Sequence, residues 1–398
     1  MADNKENKVL NVPALRFSEL TEEWKDTTLD NECTINPTSD KLKAEFVYID
    51  LESVEKGELT KKQVIEKASA PSRAQRVLQN GDVLFQCVRP YQKNNYLVKD
   101  VSPEIQWVAS TGYAQLRTKK NNPAFIYHLL NTSSFNKKVI VRCTGSSYPA
   151  INSDDLSKIH FYICGIEEQK RIADFLSLLD ERIATQNKII EKLETLIKGI
   201  VVTHHRKCPY KQFVEISKLG KSFSVGVLSK EDLVEDGTPC ILYGELFTTY
   251  NCVADVIESR TNRTDNQVYS KGDELLFPAS TTVDAVSLIT PTALIVANVV
   301  LGGDMFGIHI NKEYNAIYIS YILNYVYRQR IAKYAQGCTI IHLHYKDIKN
   351  FKLSLPPIEK QEKIVNTLNS MQEKIDCEKQ NLRLLNDLRS FLLSKLFI

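Results

Sequence analysis

The residues of this chain whose types and spacing could do chemistry are few, and each set is incomplete. His342 and His344 are two apart and would share one face of a strand, but a metal site needs further ligands and none is spaced to join them. Ser146 and Ser147 lie in a Thr144-Gly145-Ser146-Ser147-Tyr148 stretch with no base partner in view, so a polar turn is the better reading. Leu219-Gly220-Lys221-Ser222 has the tail of a phosphate-binding loop, but Glu215 stands where the first glycine is required. No Gly-x-Gly-x-x-Gly and no Asn-Pro-Pro-Tyr-like motif is present, and the carboxylates form no acid/base pair. The nine cysteines are scattered without a Cys-x-x-Cys, as suits reduced thiols in a cytoplasmic protein. The chain reads as non-catalytic, with no bound cofactor and no metal.

What, then, do the elements position? At 398 residues the chain fits two domains or more, and 43% hydrophobic with 25% charged residues are globular values. No apolar run is long enough for a transmembrane helix, and Met1 to Lys8 reads as a polar tail without a signal-peptide core. A net charge of +3 leaves nucleic-acid binding to local patches.

The chain repeats itself. Gly165-Ile166-Glu167-Glu168-Gln169-Lys170-Arg171-Ile172 returns as Pro357-Ile358-Glu359-Lys360-Gln361-Glu362-Lys363-Ile364, 192 residues on. Gly81-Asp82-Val83-Leu84 matches Gly272-Asp273-Glu274-Leu275, and Gly145 with Asp155 to Ile159 matches Gly337 with Asp347 to Phe351. Tyr48 to Leu51 loosely matches Tyr243 to Leu246. Each Gly-Asp precedes an apolar run, as a turn entering a strand should. Val83 to Val88 and Leu275 to Phe277 read as strands; Ala124 to Asn131 and Ala316 to Tyr327 read as helices. The order of marks is that of a duplicated α/β (α+β) module.

Each half closes on a long helix with a heptad seam. In the first the seam is Ile172, Leu176, Leu179, Ile183, Gln186, Ile190, Leu193, Ile197 and Ile200. In the second it is Ile364, Leu368, Met371, Ile375, Glu378, Leu382, Leu385, Arg389 and Leu392, with Leu388 and Phe391 expected to take over where Arg389 interrupts. Antiparallel pairing would set 172 against 392, 186 against 378 and 200 against 364, so that Gln186 and Glu378 form one polar layer fixing the register. Glu167, Glu168 and Glu359 suit the positive end of the helix dipole. Arg171, Glu181, Arg182, Lys188 and Glu194, with Lys363, Glu373, Lys374 and Lys379, are expected on the outer faces, solvated or against a partner.

With these marks in place the chain resembles the specificity subunits of Type I restriction–modification systems over nearly its whole length. The resemblance rests on Asn11-Val12-Pro13-Ala14-Leu15-Arg16-Phe17 with Trp24, and on Ser72-Arg73-Ala74-Gln75-Arg76 leading to Gly81-Asp82-Val83-Leu84 and Val88-Arg89-Pro90. The two Ile-Glu-x-Gln helix openings complete it. It implies a first target recognition domain over 1–160, a spacer helix over 166–203, a second recognition domain over 209–355 and a second spacer helix over 358–396. The helices would form an antiparallel coiled coil that sets the spacing and docks methyltransferase subunits. The implied partners are double-stranded DNA, two methyltransferase subunits and restriction subunits. S-adenosylmethionine and ATP would sit on those partners, and no membrane is involved. The second half departs from the first at Glu274 and at Pro278-Ala279-Ser280, and keeps the Ser-Arg-Ala stretch only vaguely, around Arg260 to Arg263. The two domains should therefore read different halves of a bipartite, asymmetric target. The alternative is a coiled-coil scaffold, or an inactive relative, that reads no DNA.

A reader needs groups that reach phosphates and base edges. The candidates are Arg89, Gln92, Lys93, Arg142, Ser146, Ser147 and Tyr148 in the first half, and Lys333, Tyr334, Gln336, Thr339, His342 and His344 in the second.

Overall fold

The computed structural model describes residues 11–209 and 211–398; the tail expected over Met1 to Lys8 lies outside them. The chain divides into two compact units: Met1–Asn187 with Gln380–Ile398, and Lys188–Lys379.

In the first unit one sheet runs Gln63–Glu66, Glu45–Ile49, Gln106–Ser110, Ala74–Val77, and another Cys33–Ile35, Tyr113–Thr118, Val83–Gln86, Tyr96–Leu97. The pair Glu45–Ile49 and Gln106–Ser110 is parallel; the remaining pairings are antiparallel. Lys25–Thr28 pairs with His160–Ile163. The second unit repeats this plan. Thr238–Leu242 lies parallel to Ala297–Gly302, Glu274–Pro278 antiparallel to Met305–Ile310, and Gln212–Glu215 beside Lys352–Leu355.

Strand register corrects two of the sequence matches. Tyr48 pairs with Val108 and Cys240 with Val300, and 108 and 300 are equivalent. The partner of Tyr48 is thus Cys240 inside a strand, whereas Tyr243 follows that strand. Likewise Val77 opposite Val108 answers to Tyr269 opposite Val300. Arg76 therefore corresponds to Val268, so the Ser72 to Arg76 stretch answers to residues leading up to Val268, and Arg260–Thr261 is a separate strand. The Tyr48 match was a chance likeness of short apolar words, because strands tolerate many apolar residues on one face.

The helices start where their caps are. Asn122 accepts from the N–H groups of Ala124 and Phe125 to open Pro123–Leu130, and Asn315 accepts from Tyr318 to open Ala316–Ile322. The second continues as a π turn over Leu323–Tyr327 and a further turn over Arg328–Ile331.

The long helices span Ile166–Lys207 and Ile358–Lys395, 42 and 38 residues. The first is about 63 Å long at 1.5 Å per residue. Each passes through both units, in opposite chain order, so within each unit the two segments run antiparallel. Every seam residue expected is buried or half-buried. In the first unit Ile172, Leu176, Leu392, Leu393, Leu396 and Phe397 join the core around Trp24 and Phe125, with the Phe397 ring 5.2 Å from Phe125.

Arg389 does not yield its place. It stays in the seam and pairs with Asp180 of the facing helix, whose carboxylate takes both Nε and Nη2. Leu388 and Phe391 are instead 45% and 54% exposed. A guanidinium with a bidentate carboxylate opposite can be half-buried, so the helix has no need to rotate two apolar residues inward. Glu194 and Lys379, both expected on outer faces, pair with each other at 2.9 Å in the second unit. Arg171 is held by Glu19 and Glu167.

The repeated glutamine has a structural reason. In the first unit buried Gln169 accepts from the backbone N–H of the cap Asn122 and donates to Asn121 Oδ1 and the Cys164 carbonyl. In the second, buried Gln361 accepts from Asn315 N–H and donates to the Pro356 carbonyl. Each ties the start of a long helix to the cap of its own unit's domain helix. Glu168 is buried too, accepting two bonds of 2.7 Å from Arg16.

Candidate nucleic-acid interface

The candidate loops are the same construction built twice. In the first unit Thr144 and Ala150 exchange both backbone hydrogen bonds at 2.9 Å around Gly145, and Val88 bridges to Ala150. In the second, Gln336 and His342 exchange bonds of 2.9 and 2.7 Å around Gly337, and Ser280 pairs with His342. Both glycines have φ in the left-handed range, +90° and +127°, and a Cβ on Gly337 would sit 2.0 Å from the Ile340 carbonyl oxygen. Glycine is required at each because the loop turns back tightly there. What differs is the side chains carried: Ser146, Ser147 and Tyr148 on one, Cys338, Thr339 and Ile340 on the other.

The segment facing the first loop is pinned by amides. Buried Gln86 donates from Nε2 to Gln92 Oε1 at 2.8 Å and accepts from Asn94 N–H at 3.0 Å. Asn95 accepts from Gln86 N–H and donates to Asn131, and Asn136 donates to the Pro90 carbonyl. Between these anchors Arg89 and Lys93 both take φ of 54°, unusual for residues with a side chain. The turn places the Arg89 guanidinium 4.3 Å over the Tyr148 ring.

Arg89, Gln92 and Tyr148 come together around one concavity of about 520 Å³, which Glu52, Glu55, Arg73 and Asn94 also line. Lys93 turns inward: its ammonium donates to the Asn131 carbonyl, and burial lowers its pKa, with Arg389 adding to the effect. Arg142 is exposed and donates to the Lys138 carbonyl; Ser146 and Ser147 are exposed.

In the second unit Lys333, Gln336 and Thr339 are exposed, and Tyr334 sits edge-on to Phe351. The His342 and His344 rings stack at 6.0 Å, but only His342 is on a strand. His344 precedes the turn Tyr345–Ile348, its N–H held by Asp347, because an aspartate three residues on favours a helix start there. The Leu219 to Ser222 run leads into a strand, with Gly220 packed against the backbone of His309.

Sequence reading missed Glu52, Glu55, Arg73, Gln86 and Asn94. Arg73 had a signal, since it stands in the Ser72 to Arg76 stretch on which the resemblance rests. The two glutamates had none beyond a Lys56-Gly57 turn between short strands. Asp273, Glu274 and His309 also converge, with ligand atoms within 4.8 Å of one another. Glu274 is already occupied by the N–H groups of Lys271, Gly272 and Asp273, and His309 Nδ1 lies 3.2 Å from both Asp273 and Glu274, so the cluster is closed by contacts among its own members.

Among the described residues no helix is long and apolar enough to cross a membrane. All nine cysteines are free thiols.

Known proteins share this plan. Residues 22–195 and 229–387 match the model of the Type I restriction modification DNA specificity domain, once per half. A putative type I restriction enzyme MjaX specificity subunit of Methanocaldococcus jannaschii is 23% identical, over 93% of this chain and 92% of its own length. The HindI specificity subunit of Haemophilus influenzae is 25% identical over 41% of this chain and 33% of its own. The fold is that of the Type-I restriction-modification S subunit from M. genitalium, at a TM-score of 0.59, 16% identity and 97% and 99% coverage. It is also that of a chain from work on complex assembly and conformational transition of the type I R-M system, at 0.55, 21% identity and 95% and 98% coverage. With two copies of the family's domain covering most of its length, this chain belongs to the Type I restriction modification DNA specificity family.

Proposed function

We propose that the chain is the DNA-reading, non-catalytic subunit of a Type I restriction–modification complex. Each unit reads one part of a bipartite, asymmetric target, and the paired helices set the spacing. Two methyltransferase subunits, carrying S-adenosylmethionine, dock on the helices and adjoining surfaces; restriction subunits carry ATP. The observation that supports this best is the duplicated loop with unlike side chains: Gly145 and Gly337 hold one geometry, while Arg89, Ser146 and Tyr148 give way to Thr281, Cys338 and Ile340. Shared geometry with different chemistry is what two readers of different sequences need. The concavity beside the first loop carries amides and guanidiniums, which bind base edges and phosphates.

Co-expression with a methyltransferase subunit, followed by mapping of methylated adenines on genomic DNA, tests the reading. A bipartite asymmetric motif with one modified adenine on each strand is expected. A stable complex with no motif would instead favour the scaffold reading.

A further inference from the structure

The concavity of the first unit holds both signs of charge. Arg73 and Arg89 line it, and so do Glu52 and Glu55, yet none of the four makes an ion pair among the described residues. A groove that only tracked phosphates would be lined with cations, because a carboxylate there repels the backbone. Guanidinium and carboxylate side by side instead match a ligand that presents acceptors and a donor together. The major-groove edge of a G·C pair does so: guanine offers O6 and N7 as acceptors, cytosine its N4 amino group as donor.

Resting on the DNA-reading function above, we propose that this concavity reads a G·C pair. Arg89 donates to guanine O6 and N7, and Glu52 or Glu55 accepts from cytosine N4. The Tyr148 ring stacked on Arg89 limits where the guanidinium can point, and the amide-pinned turn with its left-handed Arg89 holds the reader ready before DNA arrives. Gln86 is a positioning residue, acting through Gln92 and Asn94. The second unit has Thr281 at the place of Arg89, so this readout belongs to one half of the target.

The test is selection of bound duplexes from a randomised pool by the full-length chain assembled with its methyltransferase partner. Wild type is compared with Arg89→Lys and with the near-isosteric double variant Glu52→Gln/Glu55→Gln. Wild type should select a G·C pair in one half-site. Both variants should lower affinity for that site roughly 10- to 100-fold and relax that pair alone, leaving the other half-site intact. Replacing the guanine by 7-deazaguanine should weaken wild type more than Arg89→Lys, since lysine lacks the two-pronged donor. Loss of affinity spread evenly over all sequences, or no change in the variants, would overturn the inference while wild type still selected a bipartite site. A wild-type complex that selected no sequence would overturn the DNA-reading function itself.

Discussion

The segment after Val83–Gln86 and the segment after Glu274–Pro278 occupy the same place in the two units and are held by different chemistry. In the first unit neutral amides do the holding, from Gln86, Asn95, Asn131 and Asn136. In the second it is a carboxylate: Asp284 accepts from Val286 N–H, Ser287 N–H and the Ser287 hydroxyl, bonds that lower its pKa, and Arg328 donates to the Val286 carbonyl. Asn136 and Arg328 are 192 residues apart, so the duplicated helix anchors the loop from one position with a different side chain. Backbone pairings outlast the duplication, while the groups that hold and decorate the loops are free to change.

The helix seams are where the units should be most alike. Leu176 and Leu368 are equivalent and almost fully buried. Truncating either to alanine should cost about 2–5 kcal/mol, similar in the two, measured by denaturant unfolding. A loss confined to one unit would mean that the second seam is not a core. Cutting the clamps, by Gln169→Ala or Gln361→Ala, should cost about 1–3 kcal/mol each, since each leaves the N–H of a cap asparagine without its partner.

Acid should act on both units together. His128 in the first and His205 in the second are buried, and burial pushes both down to about 4. The unfolded chain, with histidines near 6.5, takes up these protons first. Stability is therefore full above about pH 6.5 and falls as pH drops towards 4, by up to about 3 kcal/mol per group. His128→Gln should flatten the fall in melting temperature between pH 7 and 5, and an unchanged slope would count against a neutral buried His128.

A smaller effect sharpens the comparison at one layer. Asp180 and Arg389 correspond to Gln372 and Ile197 of the second unit. Asp180→Gln alone should cost about 1–3 kcal/mol by leaving a half-buried guanidinium without its carboxylate. The double change Asp180→Gln/Arg389→Ile, which copies the second unit's layer, should recover most of that loss. Additive costs would show that the layer is not interchangeable between units.

The seams were legible in sequence because alternating steps of three and four leave few other ways to bury Ile172 through Ile200. Arg389 was misjudged because its partner Asp180 lies 209 residues away, and no local pattern announces a cross-helix pair. The strand match at Tyr48 failed for a related reason: register is fixed by pairing with Val108, not by the strand's own letters. The concavity was the least visible. Its walls come from segments near residues 52, 73, 86–94 and 148, and only folding makes them neighbours.

The core of the first unit is assembled from residues far apart in synthesis. Phe397 packs against Trp24 and Phe125, and Leu392, Leu393 and Leu396 fill the same core as Ile172 and Leu176. On a ribosome this unit begins first and cannot finish until the whole second unit has been made. Its half-built apolar surface must wait, at about 5–20 residues per second, some ten seconds or more for the strip that covers it. A chain stopped before residue 380 would never close that core.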